Sequence, residues 1–252
     1  MASLFRRKPK TPPSVPTVPA GLRFYAIGDV HGRLDLLQDL IGRIEEDSAA
    51  RGAADTQIIF LGDLIDRGPN SAGVVDFAMN LARRRPNTRF IMGNHEEVFL
   101  RIIDGDDAAF EFFCRIGGLE TILSYGLAES DAEQVEDSDL AQQLRLRVPP
   151  DHINFMRGFA DMITAGDYAF VHAGIRPGIA LEQQNVQDLH WIREPFLTHA
   201  HAFERIIVHG HSITASVEER ANRIGIDTGA YETGCLTALG LQGSERWQLS
   251  TG

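Results

Sequence analysis

Gly28-Asp29-Val30-His31-Gly32 has the composition of a tight ligand-binding loop, and two later segments of the chain repeat its setting. These segments are Gly62-Asp63-Leu64-Ile65-Asp66-Arg67-Gly68 and Gly93-Asn94-His95-Glu96. Each of the three follows a short apolar run typical of a buried strand and precedes a segment with the apolar spacing of a helix. The predicted strands are Phe24–Ile27, Ile58–Leu61 and Arg89–Met92. The sequence therefore brings polar side chains to the carboxyl ends of three strands, where open α/β sheets place their ligand sites.

The residue types in these loops suit a pair of metal ions. Asp29 and His31 place a carboxylate and an imidazole on one loop, and Asp63 and Asn94 add oxygen ligands from the neighbouring loops. Two metal ions about 3.5–4 Å apart need a bridging carboxylate, and such a pair polarises a phosphoryl group from both sides. Arg67 lies on the same loop as Asp63 and suits bidentate capture of phosphate oxygens.

Taken together, the three motifs resemble the phosphoprotein phosphatase family of calcineurin-like metallophosphoesterases, and in particular its compact bacterial and bacteriophage serine/threonine phosphatases. The resemblance runs from about Phe24 to the C-terminus. It includes three later motifs, Val171-His172-Ala173-Gly174, Trp191-Ile192-Arg193-Glu194, and His209-Gly210-His211 followed by Gly225-Ile226-Asp227-Thr228-Gly229. The fold that it implies is α/β, with a two-sheet β-sandwich core flanked by helices and an α-helical insertion.

The resemblance also implies a set of metal ligands. Asp29, His31 and Asp63 would hold the first of two divalent ions. Asp63 would bridge to the second ion, which would also be held by Asn94, His172 and His211. Mn²⁺ is the first expectation, and Fe and Zn²⁺ also accept mixed nitrogen and oxygen ligands. A hydroxide bridging the two ions would attack phosphorus in line with the leaving group.

The remaining site residues are assigned by the same resemblance. The phosphate-binding set is Arg67, Arg193, Asn94 and His95. His95 would protonate the departing oxygen, and Asp66 would accept a hydrogen bond from its other ring nitrogen. An alternative for Asp66 is that it only caps the helix that follows.

Two neighbours of these residues are interpreted as structural. His209 is two residues from His211 at the end of a predicted strand and is expected to point elsewhere. Asp227 is interpreted as a turn residue that supports the site loops.

Some positions depart from related branches of the family. Ile213 stands where cyclic phosphodiesterases and nucleases usually have a histidine, which disfavours those activities. Met92 replaces the arginine of the best-known eukaryotic protein phosphatases, so no regulatory subunit is implied. Symmetrical tetraphosphatases typically have aspartate where this chain has Glu96.

Three functions are consistent with these residues. The leading hypothesis is a metal-dependent phosphoric monoester hydrolase that acts as a protein serine/threonine phosphatase, with a phosphorylated protein or a small phosphoester as substrate. The alternative is a hydrolase of dinucleoside polyphosphates that resembles symmetrical diadenosine tetraphosphatases. A third hypothesis is a non-catalytic scaffold that binds phosphorylated partners.

Composition narrows the class of protein. The chain has 252 residues and a net charge of −11, with no acidic residue among the first 21. Such an acidic chain is not expected to bind nucleic acid through a broad surface. The sequence has neither a membrane-spanning apolar run nor a secretory leader, so no membrane partner is expected. Cys114 and Cys235 match no metal or redox spacing, which favours reduced thiols and a cytoplasmic location.

The domain organisation follows from changes in composition. Residues 1–21 contain five prolines and are predicted to be a disordered tail. Residues 22–252 are predicted to form the metallophosphoesterase domain, with a helical insertion at 104–158. From Met162 the chain is predicted to form a second sheet, with strands at Met162–Thr164, Tyr168–Val171, Ile206–Val208, Arg223–Ile226 and Leu236–Leu239.

Overall fold

The computed structural model describes residues 15–128 and 137–252. Its strands are β1 Leu22–Ile27, β2 Asp55–Phe60, β3 Thr88–Phe90, β4 Met162–Ala165, β5 Tyr168–Val171, β6 Ile206–His209, β7 Glu218–Glu219, β8 Arg223–Gly225, β9 Thr237–Gln242 and β10 Glu245–Ser250. Within these residues the strands form two five-stranded sheets, in the orders β10-β9-β1-β2-β3 and β4-β5-β6-β8-β7. The predicted α/β fold with a two-sheet sandwich is confirmed.

An apolar layer joins the two sheets. The strands β1, β2 and β3 run parallel, so their carboxyl ends lie at one edge. Buried side chains from this sheet, such as Phe24 and Ile59, share one core with Phe170 and Val208 of the other. The rings of Phe24 and Phe170 stack with their centroids 6.1 Å apart. Alternate residues of β1 therefore face this inner layer, while the others face the helices.

Most helices cover the outer face of the first sheet, whereas the helix Val186–Trp191 buries Leu189 with Ala169, Val171 and Ile207 of the second sheet. Their bounds are α1 Leu34–Ala50, α2 Ser71–Arg84, α3 Asn94–Ile103, α4 Phe110–Phe113, α5 Leu119–Ser124, α6 Asp137–Arg147, α7 Pro150–Arg157, α8 Val186–Trp191 and α9 Ala230–Thr233. In α1 the buried face consists of Leu37, Leu40, Ile41 and Ile44, the stripe that helical spacing in the sequence predicts. No helix in the described part of the chain has the length and apolarity needed to span a membrane.

The C-terminal strands differ from the prediction. The strand predicted at Leu236–Leu239 was expected in the second sheet, but β9 pairs antiparallel with β1 in the first. The strand β10, which the sequence did not predict, then pairs with β9. Because β9 is buried on both faces, it suits a central position in a sheet rather than an edge.

The predicted tail and insertion lie only partly within the described residues. Residues 1–14 of the tail and 129–136 of the insertion lie outside the described residues. Residues 15–21 were predicted as tail, but Val18 is 3% exposed and its N–H donates to Gly243 O at 3.0 Å. Thr17 N–H donates to the Asp167 carboxylate at 2.8 Å. Ordered packing therefore begins before Leu22, because these backbone N–H groups bond to residues in the turns that follow β9 and β4.

Candidate active site

Five loops from the two sheets meet at one edge of the sandwich. Three of them follow β1, β2 and β3, and the other two follow β5 and β6. Backbone hydrogen bonds tie the loops together, since His31 N–H donates to Asp63 O at 2.9 Å and Gly210 N–H donates to His172 O at 2.8 Å. The carboxyl ends of strands from both sheets thus deliver side chains to a single buried place.

Asp63 lies at the centre of this place. Its Oδ2 is 3.6 Å from His31 Nε2 and 3.4 Å from His172 Nε2. Two groups of side chains could each hold an ion, His31 with Asp63 and His95, and Asp63 with His172 and His211. Asp63 belongs to both groups, which is the arrangement that a bridging carboxylate requires.

Backbone carbonyls orient two of the predicted histidine ligands. A ring nitrogen, Nδ1, lies 2.8 Å from Ile65 O in His31 and 2.8 Å from Leu61 O in His172. Because a carbonyl oxygen only accepts, these nitrogens carry the proton in each neutral ring. The Nε2 lone pairs are therefore turned toward Asp63, as in histidines that ligate metals.

The surroundings of His172 Nε2 fit a cation. This nitrogen is 2.9 Å from Asn94 Oδ1 and 3.2 Å from His211 Nδ1. When His172 is neutral, Nε2 carries a lone pair that faces the acceptor oxygen Asn94 Oδ1. A positive ion would stabilise this arrangement of two acceptors. Among the described residues, the Nε2 atoms of His31 and His211 are buried without a hydrogen-bond partner. The donor set therefore fits divalent ions with nitrogen and oxygen ligands.

The buried carboxylates of the site also indicate that it binds cations. Asp29, Asp63 and Asp227 are each about 2% exposed or less. Burial, and then the charges of Asp227 and Asp63, raise the pKa of Asp29 well above its usual value. Three carboxylates so close together need positive charge to remain ionised, and bound dications would supply it.

Asp29 and Asp227 also have specific backbone partners. The Asp29 carboxylate accepts the backbone N–H of His211 at 3.0 Å, which joins the first loop to the last predicted ligand. Asp227 Oδ1 accepts the N–H of Gly229 at 2.9 Å, so it is the turn residue that the sequence predicted.

His95 and Asp66 form a hydrogen-bonded pair beside the predicted ligands. His95 Nδ1 lies 2.6 Å from Asp66 Oδ2, and Thr121 Oγ1 donates to Asp66 Oδ1 at 2.6 Å. Burial lowers the pKa of His95, but the Asp63 and Asp66 carboxylates outweigh it and raise that pKa above its usual value. The alternative role for Asp66 is wrong, because the N-cap of α2 is Asn70, whose side chain accepts from Gly73 N–H.

The two predicted phosphate-binding arginines lie at the rim. Arg67 Nη2 is 3.2 Å from His95 Nε2, and Arg193 is an exposed residue whose Nη2 is 3.5 Å from His211 O. His209 points elsewhere, as predicted, with Nε2 3.3 Å from Arg223 Nη1. All the predicted site residues therefore lie around one centre, while their individual roles remain predictions.

The backbone is strained at this centre. Among the described residues, the non-glycine residues with positive φ are all predicted site residues: His31 (45°), Asp63 (50°), Asp66 (71°), Arg67 (65°) and His211 (62°). Each such conformation costs about 1–3 kcal/mol unless the surrounding structure imposes it. Strain of this kind clusters at functional sites, where it holds side chains in place.

Sequence reasoning missed the role of Glu96. It is fully buried, and its carboxylate accepts the backbone N–H groups of Asp63 at 2.9 Å and Leu64 at 2.7 Å, and that of Gly93 at 3.1 Å. Burial, together with the charge of Asp63, raises the pKa of Glu96 to about 7. Its place three residues after the N-cap Gly93, where a glutamate side chain can accept the N-cap N–H, was the available signal.

Comparison with known proteins agrees with this geometry. A family model described as calcineurin-like phosphoesterase matches residues 22–232, and the chain belongs to that family. It is therefore a metallophosphoesterase, a hydrolase whose family implies divalent metal ions.

Particular relatives carry more specific names. The chain is 27% identical over 236 residues to an asymmetrical bis(5'-nucleosyl)-tetraphosphatase of Anoxybacillus flavithermus, covering 84% of this chain and 88% of the relative. It is 27% identical over 153 residues to a symmetrical bis(5'-nucleosyl)-tetraphosphatase of a Janthinobacterium species, covering 61% of this chain and 44% of the relative. A crystal structure with the provisional name diadenosine tetraphosphatase superimposes with a TM-score of 0.64 at 19% identity, covering 96% of this chain and 97% of the other.

Proposed function

We propose that this metallophosphoesterase hydrolyses dinucleoside polyphosphates. The observation that carries the proposal is the likeness to the relative named as an asymmetrical tetraphosphatase, which extends over most of both chains. This substrate class was the alternative in the sequence analysis, and it now precedes the phosphoprotein substrate. Asymmetrical cleavage is the expected outcome, because the relative named as symmetrical is matched over only 44% of its length.

The proposed chemistry follows from the residues present. Asp29, His31, Asp63, Asn94, His172 and His211 would hold two divalent ions. Such a pair supplies an activated water and polarises the phosphoryl group. Arg67 and Arg193 would bind the non-bridging phosphate oxygens as charge develops on them.

His95 would complete the reaction on the leaving side. As the bond from phosphorus to the leaving oxygen breaks, His95 Nε2 donates its proton to that oxygen. The proton on Nδ1 stays in the hydrogen bond to Asp66, 2.6 Å away, so the ring keeps its orientation through the transfer. The same residues could cleave a phosphomonoester or a phosphoanhydride, and a substrate panel distinguishes the two.

Phosphoprotein hydrolysis is the second candidate. The observation that favours it is Glu96 in Gly93-Asn94-His95-Glu96, the residue that separates the predicted protein phosphatase pattern from the symmetrical tetraphosphatase pattern. The non-catalytic scaffold has no such support, because the predicted ligands lie together around Asp63.

A substrate panel tests the proposal. Protein reconstituted with Mn²⁺ is given diadenosine tetraphosphate, a phosphoserine peptide and p-nitrophenyl phosphate, and the products are separated by ion-exchange chromatography. ATP with AMP supports asymmetrical cleavage, whereas two ADP would reassign the enzyme to symmetrical cleavage. Release of phosphate from the peptide without cleavage of the dinucleotide would overturn the proposal in favour of the protein phosphatase.

A further inference from the structure

A cleft of about 640 Å³ with a mixed polar and apolar lining opens next to the predicted ligands, and none of those ligands lines it. It lies between the first turns of α1 and α2 and the short helix α9. The side chains that matter in it are Arg33, Leu34, Gln38, Arg67, Pro69 and Tyr231. Its volume is within the range of about 300–1,000 Å³ that is usual for small-molecule sites.

The cleft is continuous with the active site. The rings of His31 and Tyr231 lie nearly perpendicular to each other, with their centroids 5.4 Å apart. The Arg67 guanidinium carbon is 4.8 Å from the Tyr231 ring centroid, while Arg67 Nη2 is 3.2 Å from His95 Nε2. A substrate whose scissile phosphate lies at Asp63 would therefore extend past Arg67 into the cleft.

The charge of the cleft suits a polyphosphate. The lining holds two cations, Arg33 and Arg67, and one carboxylate, Asp35, in a chain whose net charge is −11. Asp35 forms a bidentate ion pair with Arg33, so Arg67 supplies the uncompensated positive charge of the cleft. Arg33 is held by Asp35 at 2.7 Å and by the carbonyl oxygen of Ala230 at 3.0 Å, so its guanidinium is already positioned. The partial positive charge at the start of the 17-residue helix α1 adds to this local field.

The same cleft offers an apolar surface to a base. Tyr231 is half-buried, and Leu34 and Pro69 line the space near its ring. Nucleobases stack on such rings with about 1–3 kcal/mol per base, whatever their sequence. Aromatic, apolar and cationic groups are thus present together in a cleft that Arg67 shares with the catalytic residues.

We propose that this cleft binds the nucleoside polyphosphate part of the substrate that lies beyond the scissile bond. Its base would stack on Tyr231, and its outer phosphates would contact Arg67 and Arg33. The inference rests on the proposed function, because a phosphopeptide carries neither a base nor a phosphate chain.

Tyr231→Ala, with Tyr231→Phe as the matched control that keeps the ring, tests the proposal. One measurement is the ratio of kcat/KM for diadenosine tetraphosphate to kcat/KM for p-nitrophenyl phosphate. The other is ADP binding to the metal-loaded protein by titration calorimetry. Tyr231→Ala is expected to lower the ratio and weaken ADP binding, each by about 10-fold, because a stacking contact is lost. Tyr231→Phe is expected to remain near the wild-type values.

The outcomes separate this inference from the proposed function. If the wild-type protein cleaves the dinucleotide and Tyr231→Ala changes neither quantity, the cleft proposal is overturned while the proposed function stands. If the wild-type protein cleaves no dinucleotide but binds ADP in a Tyr231-dependent way, the proposed function fails, and the cleft is a nucleotide site that does not serve this substrate. Absence of both cleavage and ADP binding overturns both.

Discussion

The Asp66 carboxylate lies 2.6 Å from Nδ1 of His95, and both side chains are at most 1% exposed. The pair occupies the same buried space as Asp63, whose Oδ2 is 3.8 Å from His95 Nε2. A buried imidazole between two carboxylates is stabilised in its protonated form. It can therefore act as an acid toward a leaving group that arrives at Nε2.

Asp66→Asn is expected to lower kcat for phenyl phosphate by about 10²-fold, because general acid catalysis contributes about 10²–10⁴-fold. The fall for p-nitrophenyl phosphate should be much smaller, since p-nitrophenolate leaves without needing a proton. Steady-state rates for the two esters provide the comparison.

The matched control is Asp76→Asn. Asp76 Oδ1 lies 3.0 Å from His152 Nε2, a similar pair outside the active site. This variant should leave both rates within about twofold of wild type, because surface substitutions away from such features usually cost little. Equal losses with the two esters in Asp66→Asn would contradict a role in leaving-group protonation.

Metal content should depend on His211 and Asp63. His211→Asn is expected to lower the bound metal from two ions to one per chain, and Asp63→Asn to abolish tight binding of both, because Asp63 is shared. Elemental analysis after reconstitution with Mn²⁺, Fe²⁺ or Zn²⁺ measures the stoichiometry and identifies the preferred ion. A chelator should also lower the Tm, since ions that bind only the folded state stabilise it.

His209→Asn is the control for this experiment. It lies two residues from His211, but its ring packs on Phe196 with the centroids 5.0 Å apart. Metal content should be retained even if the free energy of unfolding falls. Two ions per chain in Asp63→Asn would show that this carboxylate does not bridge.

Glu96→Gln is expected to destabilise the protein by about 2–6 kcal/mol. In the wild-type protein one carboxylate oxygen of Glu96 accepts from Leu64 N–H, and the other accepts from the N–H groups of both Asp63 and Gly93. If the glutamine keeps its oxygen toward Leu64, its amide nitrogen would face the N–H groups of Asp63 and Gly93. Each N–H left buried without an acceptor costs about 1–3 kcal/mol. Urea unfolding monitored by circular dichroism gives the free energy of unfolding.

Glu111→Gln is the matched control for that substitution. Glu111 is exposed and pairs only with the exposed Arg115 among the described residues. Loss of this ion pair should lower the free energy of unfolding by at most about 1 kcal/mol, as for other surface ion pairs. A similar small loss for Glu96→Gln would mean that its carboxylate does not hold the Asp63 loop.

Glu97 is expected to position Arg193. Its carboxylate accepts from Gln187 Nε2 at 2.9 Å and Trp191 Nε1 at 3.0 Å, and lies 2.7 Å from His190 Nδ1. These contacts hold α8 against α3, two residues before Arg193. Glu97→Gln should raise KM about fivefold, the equivalent of one hydrogen bond, with less effect on kcat.

A double mutant with Arg193→Ala and the pH dependence of stability test this role of Glu97. If it acts through Arg193, Glu97→Gln should not raise KM further in an Arg193→Ala background; additive effects would contradict it. Burial raises the pKa of Glu97, but its three donors outweigh burial and hold it below its usual value of about 4.3. Its contribution to stability is therefore present above that pH and is lost as the pH falls through the lowered pKa. Wild-type stability should decline more steeply there than that of Glu97→Gln.

Gly42→Ala is expected to stabilise the protein by about 1 kcal/mol, the difference in helix propensity. Gly42 lies inside α1, and a Cβ there would meet no atom within 4 Å. The Tm should rise by about 2–4 °C, measured by calorimetry. Gly93→Ala should have the opposite effect, because its Cβ would overlap the backbone nitrogen and carboxylate of Asp63.

Much of the local structure could be predicted from the sequence. Apolar runs and helical spacing located β1, β2 and α1, because these patterns reflect interactions between residues close together in the chain. The motifs also identified His31, His172 and His211, which the structure brings together around Asp63. Residues such as Glu96 and Tyr231 carried weaker signals, since their roles depend on which backbone or ring lies beside them.

The sequence by itself determined where polar residues follow strands, and so which side chains could form a metal centre. Only the tertiary structure decided that β9 returns to pair with β1, more than 200 residues earlier in the chain, and that loops after β5 and β6 reach Asp63. Pairing between such distant segments depends on burial and hydrogen-bond register across the whole fold. Local spacing contains neither, and for that reason the cleft at Tyr231 could be found only once the chain was folded.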